Sequence, residues 1–436
     1  TSRDGWVEGG REGGREGRKD AGGTRACRRC TFLAHCCCQI VYIHERVFPF
    51  AQRCHVVRMG VSFPRRILSL LATVAAVALT TVHGVSRVAF LADTHIGEGC
   101  NSSYSGYQLN DTNCYSVRDL KRTVEKINAV HAKTPIAFAI LGGDVTSSAQ
   151  ATEYVAAKRE LDRLAMDYIP LMGNHDVWSY NEVLGDLTST PIADRMFAST
   201  FAPIFHKWRG RGLTYENQTV PNPLHKCNST FQSWALDVGK LSTASDDDRW
   251  LDLQNVYFVS PDFNTRLKAP PPCPGHSPIG GCGVPGMAEL FNFTDGTIEW
   301  FHSQLTSTRT MRPTIASVIM AIHQPFRCRQ GVPDWAFCFS KKDKDAIRAI
   351  LRASPLPLHS FWGVLAGHQH RWFNGTAFDE AEFHQFRQWE NSAVKGDVFD
   401  SEMASSFSVL TFEDSRVTMM EKFWTERGVW KSKQGH

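Results

Sequence analysis

Five short segments of this 436-residue chain hold aspartate, asparagine and histidine side chains that could act together. They are Asp93-Thr94-His95, Gly142-Gly143-Asp144, Gly173-Asn174-His175-Asp176, His323 and Gly367-His368-Gln369-His370. Imidazole nitrogens with carboxylate and amide oxygens, and no cysteine, suit first-row metals such as zinc, iron, manganese, cobalt or nickel. Asp93, His95, Asp144, Asn174, His323, His368 and His370 are too many ligands for a single ion and suit two ions sharing a carboxylate. Two cations about 3.5–4 Å apart are a device for in-line displacement at phosphorus. Glycines beside the ligands permit tight turns and close approach of a phosphate to the backbone. Each motif alone occurs by chance, and Gly-Asn-His-Asp alone reads as a turn. Their conjunction, each behind an apolar run, argues for a metal site.

The apolar runs are the elements that must position these residues. Val88–Ala92, Ile136–Leu141, Ile169–Met172, Val318–Ile322 and Gly363–Ala366 each have the length of a strand, and their continuous apolar character predicts burial on both faces. Between them, Leu120, Val124, Ile127 and Val130 share one helical face behind Ser116 as N-cap. Ser340 with Asp343 caps a helix carrying Ile347, Ile350 and Leu351, and Gln150–Met166 reads as helical. Strand–helix alternation predicts a layered α/β fold. In such sheets ligands bind beyond the carboxyl ends of the strands, where all five motifs fall. Residues 407–412 and 417–424 read as a terminal β-hairpin. Residues 179–290, rich in Pro, Gly and aromatics, are expected to be a loop-rich insertion or lid within a domain spanning 85–430.

With the motifs in view, the chain resembles the calcineurin-like metallophosphoesterase superfamily, whose order is Asp-x-His, Gly-Asp, Gly-Asn-His-Asp/Glu, His and Gly-His-x-His. The resemblance spans about Ser86 to Trp372. It implies a four-layered α/β/β/α sandwich with the metals at the top of the sheets. It also implies that Asp93, His95 and His370 hold one metal, Asn174, His323 and His368 the other, and that Asp144 bridges them. Purple acid phosphatases of this superfamily begin with Asp-x-Gly and place a metal-binding Tyr where Ser147 stands, so a tyrosinate–iron site is disfavoured here. Protein serine/threonine phosphatases continue after Gly-Asp with Tyr-Val-Asp-Arg-Gly, unlike Val145-Thr146-Ser147-Ser148.

The expected activity is hydrolysis of phosphoester bonds by a hydroxide held between the two metals. His175 is the expected general acid, with Asp176 holding its ring in a useful tautomer. Tyr104, Tyr107, Trp178 and Tyr180 are placed to line a substrate pocket, with plain core packing the competing reading. One alternative is a sphingomyelinase-like lipid phosphodiesterase. The alternative from another class is a non-catalytic scaffold, which the retention of His175, His368 and His370 argues against.

Composition sharpens the setting. Residues 1–58 hold 11 basic and 6 acidic side chains and six of the 13 cysteines, and precede the first methionine, Met59. They read as a spurious or disordered leader. Arg65-Arg66 followed by the apolar run Ile67–Leu79 reads as a signal peptide over 59–84, with an uncleaved anchor as the alternative. The formal charge of +4 then falls to −3 for the remainder, so nucleic acid is not an expected partner. A secreted or lumenal monomer acting on a phosphoester is expected, without a transmembrane helix in the mature chain. Asn-x-Ser/Thr acceptors at Asn101, Asn110, Asn217, Asn228, Asn292 and Asn374 fit that route. Cys100–Cys114, Cys273–Cys282 and Cys328–Cys338 are expected disulfides, leaving Cys227 as a free thiol.

Overall fold

All five apolar runs are strands in the computed structural model. It describes residues 85–98, 100, 109–110, 112–181, 186–187, 191–242, 248–267, 288–290, 296–307, 313–328, 338–394 and 403–435. The expected leader, the signal peptide, Tyr104, Tyr107, Cys273, Cys282, Asn101 and Asn292 lie outside the described residues. The chain opens with β1 (Ser86–Leu91), α1 (Tyr115–Lys133), β2 (Phe138–Leu141), α2 (Ala151–Leu161) and β3 (Tyr168–Pro170). There follow the short helix α3 (Asn174–Val177), the two-residue strands β4 (Tyr180–Asn181) and β5 (Asp186–Leu187), and α4 (Asp194–Arg209). The middle of the chain forms β6 (Leu213–Pro221), β7 (Asn228–Asp237), α5 (Gly239–Ser242), β8 (Val256–Ser260) and α6 (Thr297–Thr306). Next come β9 (Ser317–Ala321), α7 (Lys341–Ala353), β10 (Phe361–Ala366), β11 (Phe373–Thr376) and β12 (Arg387–Glu390). The end of the chain is β13 (Met403–Glu413), β14 (Arg416–Glu426) and β15 (Val429–Gly435).

Two large sheets result, in a mixed α/β fold. One has the order β15-β14-β13-β1-β2-β3 and the other β11-β12-β10-β9-β8-β7-β6. β1, β2 and β3 pair in parallel, as do β8, β9 and β10. Continuous apolar runs belong in such parallel centres because both faces of the strands are covered. The sheets share a core: Phe138 of β2 meets Phe258 of β8 edge-on at 5.5 Å, and Phe258 meets Phe412 of β13 at 6.2 Å. Burying three such rings contributes roughly 1.5–3 kcal/mol each.

The helices follow their patterns with two shifts. In α1, Val117, Leu120, Val124 and Ile127 are buried on one face, but the N-cap is Cys114 rather than Ser116. Cys114 is tied to Cys100 and takes extended backbone angles, so the helix starts two residues early. The Ser116 hydroxyl instead accepts from the Gly97 amide at 3.2 Å. α2 is shorter than its pattern, ending at Leu161. Its start is fixed by Glu153, which accepts from the amides of Ser148 and Gln150, each at 3.0 Å. Ser340 caps α7 as expected, accepting from the Asp343 amide at 3.2 Å.

Residues 179–290 depart most from expectation. Far from being only a loop-rich lid, they supply α4 and the strands β6, β7 and β8 of the seven-stranded sheet. The pattern misleads because β7 buries Ser229, Gln232 and Ser233 beside Trp234, so polar residues do not mark a solvent face. The Trp234 indole donates to the Pro170 carbonyl at 3.2 Å, joining this strand to the end of β3. The terminal hairpin is present, with Glu413 opposite Arg416, and β15 adds a third strand that the turn pattern did not signal. Cys100–Cys114 and Cys328–Cys338 are disulfides, and Cys227 is free. Among the described residues no helix is long and apolar enough to cross a membrane.

Candidate metal centre

The carboxyl ends of β1, β2, β3, β9 and β10 deliver the five motifs to one place. The turns that do so are strained in a revealing way. Asp93 (φ 56°), His95 (41°), Asp144 (49°), His368 (72°) and His370 (50°) all take left-handed backbone angles. Each non-glycine residue in that region costs of the order of 1–3 kcal/mol, and such strain persists only where the surroundings hold it. Here they do. The Asp93 and His95 amides donate to the carbonyls of Gly143 and Asp144, both at 3.0 Å, and the His368 amide donates to the Asp93 carboxylate at 2.9 Å. Gly173 lets two of these turns touch: a Cβ there would lie 2.1 Å from the Asp144 amide nitrogen.

The side chains converge in three overlapping groups: Asp93, His95 and His370; His95, Asp144 and His175; and Asp144, His323 and His368. Within each, the ligand atoms lie within 4.8 Å of one another. His95 Nε2 is 3.1 Å from His370 Nε2, and His323 Nε2 is 3.2 Å from His368 Nδ1. Asp144 Oδ2 stands between the groups, 3.5 Å from His95 Nε2 and 3.1 Å from His323 Nε2. Asn174 joins the third group, its Oδ1 lying 2.9 Å from His323 Nε2. Imidazole nitrogens facing one another around buried carboxylates form a donor set that a cation satisfies, and its nitrogen–oxygen composition fits two first-row metals. The seven residues expected as metal ligands are thus all brought together.

A layer of partners fixes how the rings present themselves. His323 Nδ1 faces the Gly142 carbonyl at 2.8 Å, which turns Nε2 toward Asp144 and Asn174. Gln369 lies between His368 and His370, and its amide donates to Cys338 Sγ at 2.9 Å, resting this loop on the Cys328–Cys338 disulfide. Arg371, just beyond, donates to the buried Glu390 at 2.7 Å.

His175 is partly exposed beside these buried groups, with its ring centre 4.5 Å from that of His95. Its amide donates to Asp144 Oδ1 at 2.8 Å, and its Nδ1 faces the Ser147 carbonyl at 2.6 Å. The expected orienting role of Asp176 is therefore corrected: the backbone of Ser147 holds the His175 ring. The Asp176 carboxylate instead accepts from the amides of Val145, Thr146 and Gly173 at 3.0, 3.1 and 3.0 Å, clamping two ligand turns together. Turn geometry aims the carboxylate inward at the amides, and residue type alone gives no hint of this. Nor could residue type reveal Ser147, which acts through its main chain.

Trp178 is also corrected. It is 0% exposed, its indole donates to the Thr265 carbonyl at 3.0 Å, and it has no surface to offer a substrate. Its polar edge finds a main-chain partner, so the whole ring packs inside. Tyr180 lies in β4.

The electrostatics match the geometry. Burial pushes the Asp144 carboxyl up, but His323, His175 and His95 outweigh it and hold the group well below the usual carboxylate range. Burial lowers His323, yet Asp144 and Asp93 carry it up to about 9. Burial and the neighbouring His323 push His368 well down. Burial and the Asp144 charge raise Asp176 to about 7 despite its backbone donors. Asp144 is thus a buried carboxylate kept charged by the imidazoles around it.

The profile of the calcineurin-like phosphoesterase family matches residues 86–304. That span includes Asp93, His95, Asp144, Asn174 and His175, and the fold brings in His323, His368 and His370 from beyond it. Among solved structures, the chain is similar to a dimetal phosphatase from Danio rerio, with 13% identity, 80% of this chain and 98% of that one covered, and a TM-score of 0.44. It is also similar to a purple acid phosphatase from yellow lupin (Lupinus luteus) seeds, with 11% identity, 80% and 53% covered, and a TM-score of 0.41. No curated protein sequence matches significantly.

Proposed function

We propose, for a chain that belongs to the calcineurin-like phosphoesterase family, that the cluster at the strand ends is the two-metal active site of its phosphoester hydrolysis. The observation that carries this reading is the placement of Asp144 Oδ2 between His95 and His323, one from each ligand group. Asp93, His95 and His370 would hold one ion, Asn174, His323 and His368 the other, and Asp144 both. When bound, the ions neutralise phosphoryl oxygens and lower the pKa of a water so that hydroxide is available near neutral pH.

The protein's own groups supply the rest. The Ser147 carbonyl keeps a hydrogen on His175 Nδ1, so the ring acts as an acid in its imidazolium form, whose second proton, on Nε2, faces substrate. As a hydroxide oxygen bonds to phosphorus and the ester P–O bond breaks, Nε2 gives that proton to the leaving oxygen and the ring becomes neutral. Asp176, by gripping the amides of Val145, Thr146 and Gly173, keeps the His175 turn in register with the Asp144 turn. All the groups that a non-catalytic scaffold could dispense with are present and assembled, which favours catalysis. The two disulfides support the secreted or lumenal location.

The test is metal analysis coupled to a panel of phosphomonoesters and phosphodiesters, using protein produced from Met59 onward in a secretory host. Two metals per chain and hydrolysis abolished by chelation are expected. Hydrolysis that survives complete metal removal would overturn the reading.

A further inference from the structure

Asn264 lies just beyond the carboxyl end of β8, a strand that contributes no ligand, and is 1% exposed. Its side chain reaches two ligand turns at once. Nδ2 donates to the Met172 carbonyl at 2.8 Å, two residues before Asn174, and to Asp262 Oδ1 at 3.0 Å. Oδ1 accepts from Gln324 Nε2 at 2.8 Å, one residue after His323. The amide cannot be turned over, because a carbonyl and a carboxylate only accept and Nδ2 is the only donor the side chain has. The contacts close a ring: Asn264 to Met172, along the chain to Asn174, across 2.9 Å to His323, along the chain to Gln324, and back to Asn264.

Asn264 is itself held rigidly. Asp262 Oδ1 accepts from its amide at 3.2 Å, and Arg266 Nη1 donates to its carbonyl at 2.7 Å. Arg266, 0% exposed, also donates through Nη2 to Asp262 Oδ2 at 2.7 Å, so a buried ion pair braces the strut. A buried charged pair is retained at a desolvation cost, and breaking it leaves an uncompensated charge. That expense is spent where two ligand turns meet.

We propose that Asn264 is a positioning residue that sets the spacing between Asn174 and His323. The proposal rests on the reading of these two residues, with His368, as one metal position. Loss of the strut lets the turns drift apart and weakens that position selectively, while Asp93, His95 and His370, held by other contacts, keep theirs. Partners behind metal ligands typically contribute 10–100-fold in metal affinity.

Two variants test this: Asn264→Ala, which removes the strut, and Gln324→Leu, which breaks only its far end and leaves the Met172 and Asp262 contacts in place. Chelator-treated protein is titrated with Mn²⁺ by calorimetry, and amide hydrogen exchange is followed in the metal-free state. In both variants one of two Mn²⁺ equivalents should weaken roughly 10–100-fold with the other unchanged, and saturating Mn²⁺ should restore kcat. Exchange over residues 171–177 and 322–327 should quicken together. Equal weakening of both equivalents, or wild-type exchange in both segments, would overturn the proposal. Should wild-type protein bind no Mn²⁺, the metal reading fails, and the exchange experiment alone decides whether Asn264 couples the turns.

Discussion

His95 Nε2 lies 3.1 Å from His370 Nε2 across 275 residues of sequence, and carboxylate oxygens of Asp144 and Asp93 sit 3.5 Å from one or other of them. Two facing imidazole nitrogens can share a single hydrogen at most, whereas a cation between such donors satisfies every one. Metal binding should therefore stabilise the fold measurably. At a metal concentration 100 times Kd the gain is about 2.7 kcal/mol. For a domain of this size that is a rise in Tm of roughly 3–4 °C. His370→Ala should remove a large part of the shift, and a Tm indifferent to metal in wild-type protein would contradict the two-ion reading.

His175 should reveal its role through the leaving group. If it donates the proton, His175→Ala should slow hydrolysis of an alkyl phosphoester by about 10²–10⁴. The same variant should lose much less on a 4-nitrophenyl ester, whose leaving oxygen needs no proton. Metal content should be unchanged, since His175 is not among the residues assigned as ligands. Equal losses on both esters would assign His175 to binding instead.

Much of this arrangement is legible in the sequence, and the reason is physical. β1, β2, β3, β9 and β10 are buried on both faces, so their sequences are unbroken apolar runs, and the ligands stand directly after them. β7 was not legible because its buried Ser229, Gln232 and Ser233 imitate a loop. The partner of Asp176 is not legible, because the choice between a neighbouring ring and three amides depends on the path of the turn. Nothing in the residue type of Asn264 marks it as a strut between ligand turns. Its importance comes from sitting between Met172 and Gln324, residues 92 and 60 positions away.

Gly173 should resist even the smallest side chain. Its Cβ position falls 2.1 Å from the Asp144 amide nitrogen and 2.2 Å from Asp144 Oδ1, which is backbone and shared ligand rather than a flexible tip. Gly173→Ala must push the Asn174 turn away from the Asp144 turn. Overpacking of this kind costs about 1–3 kcal/mol. Calorimetric Tm and bound metal should fall together in this variant. A stable Gly173→Ala protein with full metal content would show that the two turns need not touch.

Asp194 offers a pH test away from the metal cluster. It is 0% exposed, its Oδ2 accepts from the Thr230 amide at 2.6 Å, and Arg266 Nε lies 3.6 Å away. Burial raises its carboxyl to about 6, with the Asp262 charge adding and Arg266 and the Thr230 amide opposing. An acid whose folded pKa exceeds its unfolded value binds more protons when folded between the two. Its contribution to stability is thus full below about pH 4 and is lost as pH rises through about 6. A shift of this size corresponds to roughly 3 kcal/mol. Asp194→Asn cannot titrate, so its stability relative to wild type should improve by up to that amount between pH 4 and pH 7. Denaturant unfolding of both proteins across this range checks the sign directly. Parallel curves would mean that Arg266 keeps Asp194 ionised throughout.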